Sequence, residues 1–225
     1  GAYSFDFFKI ATAGEGGIFV TNDENVYKLA DSYCDHGHDH IGNNRGMENH
    51  PIIGFNYRIS ELHAAVGAAQ TRKVPTIRAT NLKNKAFLQN ELSKVAGIGF
   101  STSGDDNGDS GTFLNILMPD TETAKRTVDE FNKAGVTGFN YWFTNMYHFI
   151  NQWEHIKGLK TASKLPIQVL GAPQDYNNLH LPKTQDVVGR LISFGIRCTW
   201  TEEELKTLAA KISECATKAM NEVAV

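Results

Sequence analysis

The chain has 225 residues, of which 41% are apolar and 21% charged, a composition typical of a globular protein with a sizeable core. Its 22 Lys and Arg against 25 Asp and Glu give a net charge of −3, which excludes a nucleic-acid binder that relies on a basic surface. No apolar run reaches the roughly 20 residues that span a bilayer. The three cysteines are typical of free thiols in a reducing compartment, and we expect a cytoplasmic protein without a membrane partner.

The first part of the chain predicts a strand followed by a helix. The strand covers residues 17–21 and ends at the turn-forming pair Asn22-Asp23. The helix covers residues 24–35, because apolar residues recur there at helical spacing. These residues are Val26, Leu29, Ala30 and Tyr33. A polar loop rich in glycine and histidine follows over residues 36–54.

Two further helices are predicted before residue 95. Ser60 caps the first of them, and small residues in its apolar stripe permit close packing. The stripe consists of Leu62, Ala65, Val66 and Ala69. Pro75 is expected to interrupt or kink this helix, since proline lacks a backbone N–H. The next helix is predicted over residues 81–94, with Phe87, Leu88 and Leu92 facing inward.

The remainder of the chain predicts a second α+β lobe. A strand at residues 98–101, a polar loop up to Gly111 and a buried strand at residues 112–118 precede a helix over residues 121–134, which Gly135 ends. Thr201-Glu-Glu-Glu204 has the sequence of a capping box and starts the last helix. The inward stripe of that helix is Leu205, Leu208, Ile212 and Cys215 or Ala216. We expect two domains, residues 1–83 and 84–225.

Lys9 is the strongest candidate for a catalytic side chain. It ends the segment Ser4-Phe-Asp-Phe-Phe-Lys9 and precedes Gly14-Glu-Gly-Gly17. Apolar surroundings disfavour the ammonium form of a lysine, so its aromatic neighbours are expected to lower the pKa of Lys9. A neutral amine can attack an aldehyde, as a Schiff-base lysine does. Ser4 could offer a hydroxyl to an anion. Taken alone, these residues also fit a surface lysine beside aromatic rings.

Five segments together resemble a known family in order and spacing. They are Ser-Phe-x-x-x-Lys, Gly-Glu-Gly-Gly before an apolar strand, Asp35-His-Gly37, Gly54-Phe-Asn-Tyr-Arg58 and Ser60-Glu-Leu-His-Ala-Ala65. This order resembles the sugar aminotransferases of pyridoxal-phosphate fold type I, the DegT/StrS family. The resemblance is specific over residues 2–70 and weaker beyond. It implies an α/β fold, the C-terminal part of a fold-type I aminotransferase, with the end of the large domain followed by a small α+β domain.

The resemblance also implies roles for individual residues. Lys9 would bind pyridoxal 5′-phosphate (PLP) covalently, and Ser4 would hydrogen-bond the cofactor phosphate. Asn56 would reach the phosphate of the neighbouring subunit's cofactor, which implies a homodimer with shared active sites. Arg58 would hold the same loop or form a surface salt bridge. Relatives that are dehydratases have histidine at the position of Lys9, so lysine favours amino transfer.

The chain departs from the family pattern in one respect. The family's carboxylate for the pyridine nitrogen, its ring-stacking residue and its phosphate loop lie upstream of the lysine, whereas only eight residues precede Lys9 here. Asp6 is too close to Lys9 in sequence to take the carboxylate's role. We therefore expect the first half of the protein to lie outside these residues, and the fragment alone to be inactive.

The histidine-rich loop permits two interpretations. His36, His38 and His40 alternate, so in an extended strand three imidazoles would face one side and could bind zinc or nickel. The alternative, which we adopt, is a solvated loop without a metal. Arg45 lies further along the loop, which is expected to cover a neighbouring active site, and its guanidinium would suit an anionic substrate.

Residues 139–155 combine aromatic faces with polar edges, as sugar-binding pockets commonly do. Trp142, Tyr147 and His148 are the predicted substrate-binding residues, with Trp153 and His155 as further candidates. The alternative for at least half of these residues is ordinary domain core. This segment resembles the corresponding segment of the subgroup that makes 8-amino-3,8-dideoxy-manno-octulosonate (8-amino-Kdo). The sequence Phe-Asp-Phe-Phe-Lys resembles that subgroup as well.

These patterns together predict a PLP-dependent aminotransferase. It would move an amino group, with glutamate as the donor, to a keto or aldehyde sugar, and the specific candidate is 8-oxo-Kdo in lipopolysaccharide sugar biosynthesis. Four alternatives remain open at this point. They are a nucleotide-sugar 3- or 4-aminotransferase, a sugar dehydratase, a PLP-containing regulatory protein without turnover, and a metal-binding module on the histidine tract.

Overall fold

The computed structural model describes residues 1–102, 104–169 and 175–222. The chain divides into two compact units, Gly1–Ile77 (unit 1) and Arg78–Val225 (unit 2). The division falls within one long helix, Val74–Leu92, whereas the sequence placed the domain boundary further along that helix, at residue 83.

Unit 1 begins with a two-stranded antiparallel ribbon. Strand β1 (Ala2–Ser4) pairs with β2 (Gly17–Phe19), with Tyr3 opposite Ile18. Helix α1 (Glu24–Cys34) follows, and the Asp23 side chain caps it by accepting two backbone N–H bonds. The predicted strand and helix are therefore both present, while the sequence did not predict β1.

Helices α2 (Glu61–Thr71) and α3 (Val74–Leu92) follow the polar loop, in which Arg45–Met47 form one 3-10 turn. Ser60 caps α2 as predicted, accepting the backbone N–H of His63. Pro75 lies in the first turn of α3, where a missing N–H breaks no helical bond. The helical run is thus interrupted before Pro75, and α3 begins earlier than the predicted residue 81.

The apolar stripes predicted for α1 and α2 are largely exposed in this chain. Leu29 on α1 is 53% exposed, and Leu62 on α2 is 82% exposed. A two-stranded ribbon is too small to cover two amphipathic helices, so unit 1 offers these stripes no partner layer of its own. The helical periodicity of these stripes was predicted correctly. The described residues do not bury them, although an apolar stripe normally implies burial.

Unit 2 contains a four-stranded antiparallel sheet. Its strands are β3 (Gly99–Phe100), β4 (Phe113–Leu117), β5 (Phe139–Asn140) and β6 (Leu191–Gly195), in the spatial order β3-β4-β6-β5. Ile116 on β4 lies opposite Ile192 on β6. The sequence predicted β3 and β4 but not β5 or β6.

Unit 2 also contains helices. They are the C-terminal part of α3, then α4 (Thr121–Lys133), α5 (Glu154–Lys157), α6 (Pro166–Val169), α7 (Pro182–Arg190) and α8 (Glu202–Asn221). Those that contribute to its core are α3, α4 and α8. Helix α8 has the predicted capping box, because Thr201 and Glu204 each accept the other's backbone N–H. None of the described helices has the length and apolar character required to cross a membrane.

The core of unit 2 lies between the sheet and its helices. The inward stripe predicted for α8 is correct, since Leu205, Ile212, Cys215 and Ala216 are buried and Leu208 packs beside them. Phe131 of α4 contacts Phe194 of β6 edge to face, with ring centroids 5.6 Å apart. The same cluster includes buried side chains of α3 and β4: Leu88, Leu92, Leu114 and Ile116. These residues form one contiguous hydrophobic core whose members all belong to unit 2.

Candidate active site

Lys9 lies in a tight turn directly after β1. Its backbone N–H donates to the carbonyl of Asp6 at 2.9 Å, and the Asp6 side chain accepts the N–H of Phe8 at 2.8 Å. Aspartate commonly stabilises a turn in this way, by accepting a backbone N–H two residues further on. Asp6 therefore stabilises the turn that contains Lys9, and its carboxylate accepts a hydrogen bond within that turn.

The glycine segment after Lys9 folds back beside this turn. Gly14 and Gly16 have φ angles of 86° and 131°, which residues with a Cβ rarely adopt. A Cβ on Gly16 would lie 2.6 Å from Cδ1 of Ile59. On α2, a Cβ at Gly67 would lie 3.3 Å from the ring of Phe5, so the helix packs closely against the strand that leads to Lys9. The small residues thus let α2 support the lysine turn.

The apolar enclosure predicted for Lys9 is absent from the described part of the chain. Lys9 is exposed, and its neighbours Phe7 and Phe8 are 61% and 79% exposed. The reason is that a tight turn on a two-stranded ribbon has no covering layer in unit 1. None of the described residues forms a hydrogen bond or an ion pair with the Lys9 amine, which is therefore accessible.

Ser4 ends β1 and faces the same turn. Its hydroxyl oxygen accepts the backbone N–H of Asp6 at 3.2 Å. A hydroxyl can accept and donate at the same time, so this contact leaves its hydrogen for another acceptor. Ser4 is exposed, and the group it offers suits an anion such as a phosphate.

Asn56 is held close to the end of α1 by a short backbone pairing. Asp35 and Asn56 form an isolated antiparallel bridge, and the N–H of Tyr57 donates to the carbonyl of Cys34 at 2.9 Å. Two glycines permit this approach, because a Cβ on Gly54 would collide with the backbone nitrogen of Gly37. The Asp-His-Gly and Gly-Phe-Asn-Tyr-Arg segments, distant in sequence, therefore form one structural unit.

Asp35 is the centre of a charged network that the sequence did not identify. Its carboxylate, only 8% exposed, accepts Nη1 and Nη2 of Arg45 at 2.9 and 2.7 Å. It also accepts Nη1 of Arg58 at 2.8 Å, and Nε2 of His40 lies 3.0 Å from it. The hydrogen bonds from Arg45 hold the pKa of the Asp35 carboxyl well below its usual range. The sequence did contain a signal for this network, because Asp35 is followed by several histidines and by Arg45 and Arg58.

Arg45, predicted to bind an anionic substrate, is engaged within this chain. Two of its N–H groups are donated to Asp35 in the bidentate geometry that guanidinium and carboxylate favour. About half of its side chain, 49%, is exposed. The loop is therefore tied to the end of α1 through Arg45, while half of the Arg45 side chain stays accessible.

The alternating histidines do not form one ligand face. His36 and His40 have φ angles of 57° and 51°, so the segment is not an extended strand. His40 lies between Asp31 and Asp35, at 2.7 and 3.0 Å, whereas the ring of His38 lies against that of His50 at a tilt of 51°, with ring centroids 4.2 Å apart. Across residues 1–102, 104–169 and 175–222, no three or more His, Cys, Asp and Glu side chains are grouped as a metal site would require.

The three predicted substrate-binding aromatic residues come together in unit 2. The ring of His148 contacts Trp142 edge to face at 4.7 Å between centroids, and Tyr147 in the same manner at 4.3 Å. The indole N–H of Trp142 donates to Oγ of Ser193 at 2.8 Å. Trp153 stacks instead on His155 at 5.9 Å. Ser193 was missed, although a single polar residue within an apolar strand was an available signal.

One neighbour in the aromatic segment has a structural role. Tyr141 is buried, and its hydroxyl donates to the carbonyl of Gly189 at 2.7 Å. Burial raises the pKa of Tyr141 to about 12. The aromatic segment therefore contains both core residues and more accessible ones, and its sequence was compatible with both interpretations.

The sequence matches the profile of one protein family over residues 1–213, the DegT/DnrJ/EryC1/StrS aminotransferase family. A protein of Streptomyces kanamyceticus, provisionally named an L-glutamine:3-amino-2,3-dideoxy-scyllo-inosose aminotransferase, is 35% identical over 107 residues, 48% of this chain and 25% of that protein. A GDP-perosamine synthase of Caulobacter vibrioides is 34% identical over 94 residues, 41% of this chain and 24% of that protein.

Solved structures of aminotransferases have the same fold. An aminotransferase from Psychrobacter cryohalolentis superposes with a TM-score of 0.76 at 19% identity, over 98% of this chain and 56% of that one. The Helicobacter pylori PseC, an aminotransferase of pseudoaminic acid biosynthesis, has a TM-score of 0.74 at 17% identity, over 96% of this chain and 53% of that one. The chain thus spans about half the length of these structures.

Enzymes of this family depend on PLP. The chain belongs to the DegT/DnrJ/EryC1/StrS aminotransferase family and has the fold of the C-terminal part of a fold-type I aminotransferase.

Proposed function

We propose that this chain supplies the cofactor-binding lysine and the substrate-facing C-terminal part of a sugar aminotransferase. The observation that carries the proposal is Lys9: an exposed amine without a partner among the described residues, held on a turn that Gly14 and Gly16 support. Family membership over residues 1–213 supports the reaction class.

The residues of unit 1 fit PLP chemically. A free lysine amine can bond to the cofactor's aldehyde carbon, and the Ser4 hydroxyl retains a hydrogen for a phosphate oxygen. The Asn56 amide keeps its two N–H donors, because its oxygen accepts from Arg58. PLP, when bound, supplies an electron sink for the negative charge that forms at the donor's α-carbon.

Lys9 would act in two ways in this reaction. Its Nζ would hold the cofactor covalently. Once an amino donor had taken its place, the Nζ amine would serve as the base that removes the proton from the donor's α-carbon and as the acid that returns it to the cofactor. The same transfers run in reverse when the sugar carbonyl is aminated, so ping-pong kinetics are expected.

The substrate proposal rests on the aromatic cluster of Trp142, Tyr147 and His148. Rings combined with polar edges suit a sugar, and Tyr147 is 66% exposed, so its face is accessible. We propose a keto or aldehyde sugar, with 8-oxo-Kdo in lipopolysaccharide sugar biosynthesis as the specific candidate. The half-exposed guanidinium of Arg45 would suit the negative charge of this substrate.

Glutamate is the proposed amino donor. A relative's name specifies L-glutamine, so both amino acids belong in the assay. We further propose a cytoplasmic homodimer in which Asn56 serves the partner's cofactor phosphate. Light scattering should give a dimer or a larger oligomer for the full-length protein, and a stable active monomer would contradict the shared site.

The decisive experiment is borohydride reduction of the full-length holoprotein, followed by peptide mass spectrometry. We expect a pyridoxyl adduct on Lys9, loss of that adduct in Lys9→Ala, and a fall in turnover of at least about 10²-fold in Lys9→Arg. Lys28→Arg is the matched control, because Lys28 is an exposed lysine of the same unit that pairs with Glu24. Normal turnover in Lys9→Ala would reject the assignment.

The same preparation separates the alternatives. A nucleotide-sugar aminotransferase, which the GDP-perosamine synthase relative favours, would aminate a nucleotide-linked keto sugar and not 8-oxo-Kdo. A dehydratase would release a deoxy sugar without consuming an amino donor. A regulatory protein would form the adduct on Lys9 but turn over neither glutamate nor glutamine.

A further inference from the structure

Arg58 connects Asp35 to Asn56. Its Nη1 donates to Oδ1 of Asp35 at 2.8 Å, while its Nε donates to Oδ1 of Asn56 at 3.3 Å. The backbone N–H of Arg58 donates to that same amide oxygen, also at 3.3 Å. One guanidinium therefore joins a largely buried carboxylate to the exposed amide that the proposed function assigns to a phosphate.

This contact determines which way the Asn56 amide faces. An asparagine amide has an acceptor end and a donor end that can exchange by rotation. With two N–H groups of Arg58 directed at Oδ1, the reversed orientation would place N–H donors against N–H donors. The amide oxygen is therefore fixed towards Arg58, and the NH₂ group is directed away from it.

Asp35 keeps the guanidinium in place. Its side chain is 8% exposed and is anchored independently by the bidentate pair with Arg45 and by His40. Arg58 is thus oriented by a carboxylate that stays fixed without it. A planar guanidinium can direct Nε and Nη1 to two acceptors at once, which the single ammonium of a lysine cannot reproduce.

We propose that Arg58, oriented by Asp35, is a positioning residue that presents the NH₂ group of Asn56 to the phosphate of PLP. This inference rests on the proposed function. Arg58 acts through Asn56, so its effect is confined to the phosphate and does not extend to the aldehyde chemistry at Lys9. Cofactor binding should therefore depend on Arg58 only when the cofactor carries a phosphate.

The test compares PLP with pyridoxal, which has the same ring and aldehyde but no phosphate. Dissociation constants are measured by absorbance titration of the full-length apoprotein, and occupancy of Lys9 is checked by borohydride trapping. Arg58→Gln should weaken PLP about tenfold, the effect of one hydrogen bond to a charged group, and leave pyridoxal binding unchanged. Arg72→Gln, at an exposed arginine of the same unit, is the control and should change neither.

Two further variants make the outcome decisive. Asn56→Ala should show the same selective loss for PLP, and the double variant Asn56→Ala/Arg58→Gln should lose no more than either single variant. Arg58→Lys retains the charge beside Asp35 and should lose the phosphate preference to the same degree. It replaces Arg58→Gln if that variant fails to fold.

Three results would overturn the inference. They are equal weakening of PLP and pyridoxal in Arg58→Gln, additive losses in the double variant, and full phosphate preference in Arg58→Lys. An absent pyridoxyl adduct on Lys9 in the unmodified protein would instead reject the proposed function itself. The two failures are therefore distinguishable in one set of measurements.

Discussion

The indole N–H of Trp142 donates to Oγ of Ser193 at 2.8 Å and so ties the exposed aromatic cluster to the central strand β6. Ser193 is 3% exposed and lies opposite Asn115 of β4 and Asn140 of β5. A side chain in that position has little freedom. The ring that we propose for sugar binding is therefore fixed by a buried hydroxyl.

Ser193→Ala should release Trp142. We expect the free energy of unfolding to fall by about 1 kcal/mol, the typical contribution of one hydrogen bond. If the Trp142 ring binds the sugar as we propose, the KM for the sugar should rise while kcat stays unchanged, because a residue that only binds substrate takes no part in the chemical step. Chemical denaturation and steady-state kinetics measure both effects, with the exposed Ser101→Ala as the control. A change in kcat alone would contradict this account.

Tyr141→Phe should destabilise unit 2 without directly altering the aromatic cluster that we propose for substrate binding. The Tyr141 hydroxyl donates to the carbonyl of Gly189 in the last turn of α7, where helix carbonyls lack a partner within the helix. Removing a buried donor leaves that carbonyl unsatisfied, at a cost of about 1–3 kcal/mol. Urea unfolding measures the loss. Tyr27→Phe, at a tyrosine 57% exposed, should have no effect.

Gly16→Ala should disturb the support of the lysine turn. The φ of 131° is unfavourable for alanine, and the new Cβ would meet Ile59. We expect a loss of about 1–3 kcal/mol in the free energy of unfolding and a lower yield of pyridoxyl adduct on Lys9. Gly42→Ala is the comparison, because its φ is 99° but its surroundings are open. Equal losses in both variants would show that the Ile59 contact is unimportant.

His40 should make the stability of unit 1 depend on pH. Hydrogen bonds that the His40 ring donates to the carboxylates of Asp31 and Asp35 raise the pKa of His40 above its ordinary value of about 6.5, with Asp31 as the larger cause, while burial opposes this. A raised folded-state pKa gives stability that is fully present below about pH 6.5 and is lost as the pH rises through the raised value.

Two measurements check this dependence. An NMR titration of the His40 ring should give a midpoint above 6.5, and unfolding experiments should show decreasing stability on the alkaline side. Asp31→Asn should lower the titration midpoint of His40. The control Asp129→Asn, at an exposed residue of α4, should leave that midpoint unchanged. A midpoint at or below 6.5 in the unmodified protein would disprove the role of the two carboxylates.

Local signals in the sequence were sufficient for several elements. The capping residues Ser60 and Thr201 located the starts of α2 and α8, and the apolar run before Pro119 located β4. Strand β6 was not predicted, because Leu191–Gly195 follows α7 without an intervening turn residue. Its pairing with β4 joins residues far apart in the chain, which local patterns do not encode.

The family motifs, the candidate lysine Lys9 and the helical periodicities can be recognised in the linear chain, because each of these is a matter of residue type and spacing. Which side chains meet depends on how the chain folds. The joining of Asp35 to Arg58 and of Trp142 to Ser193 depends on two loops and a strand folding back over long separations. Burial likewise depends on partner layers, which is why the stripe of α8 is covered while Leu29, Leu62 and the aromatic neighbours of Lys9 remain exposed.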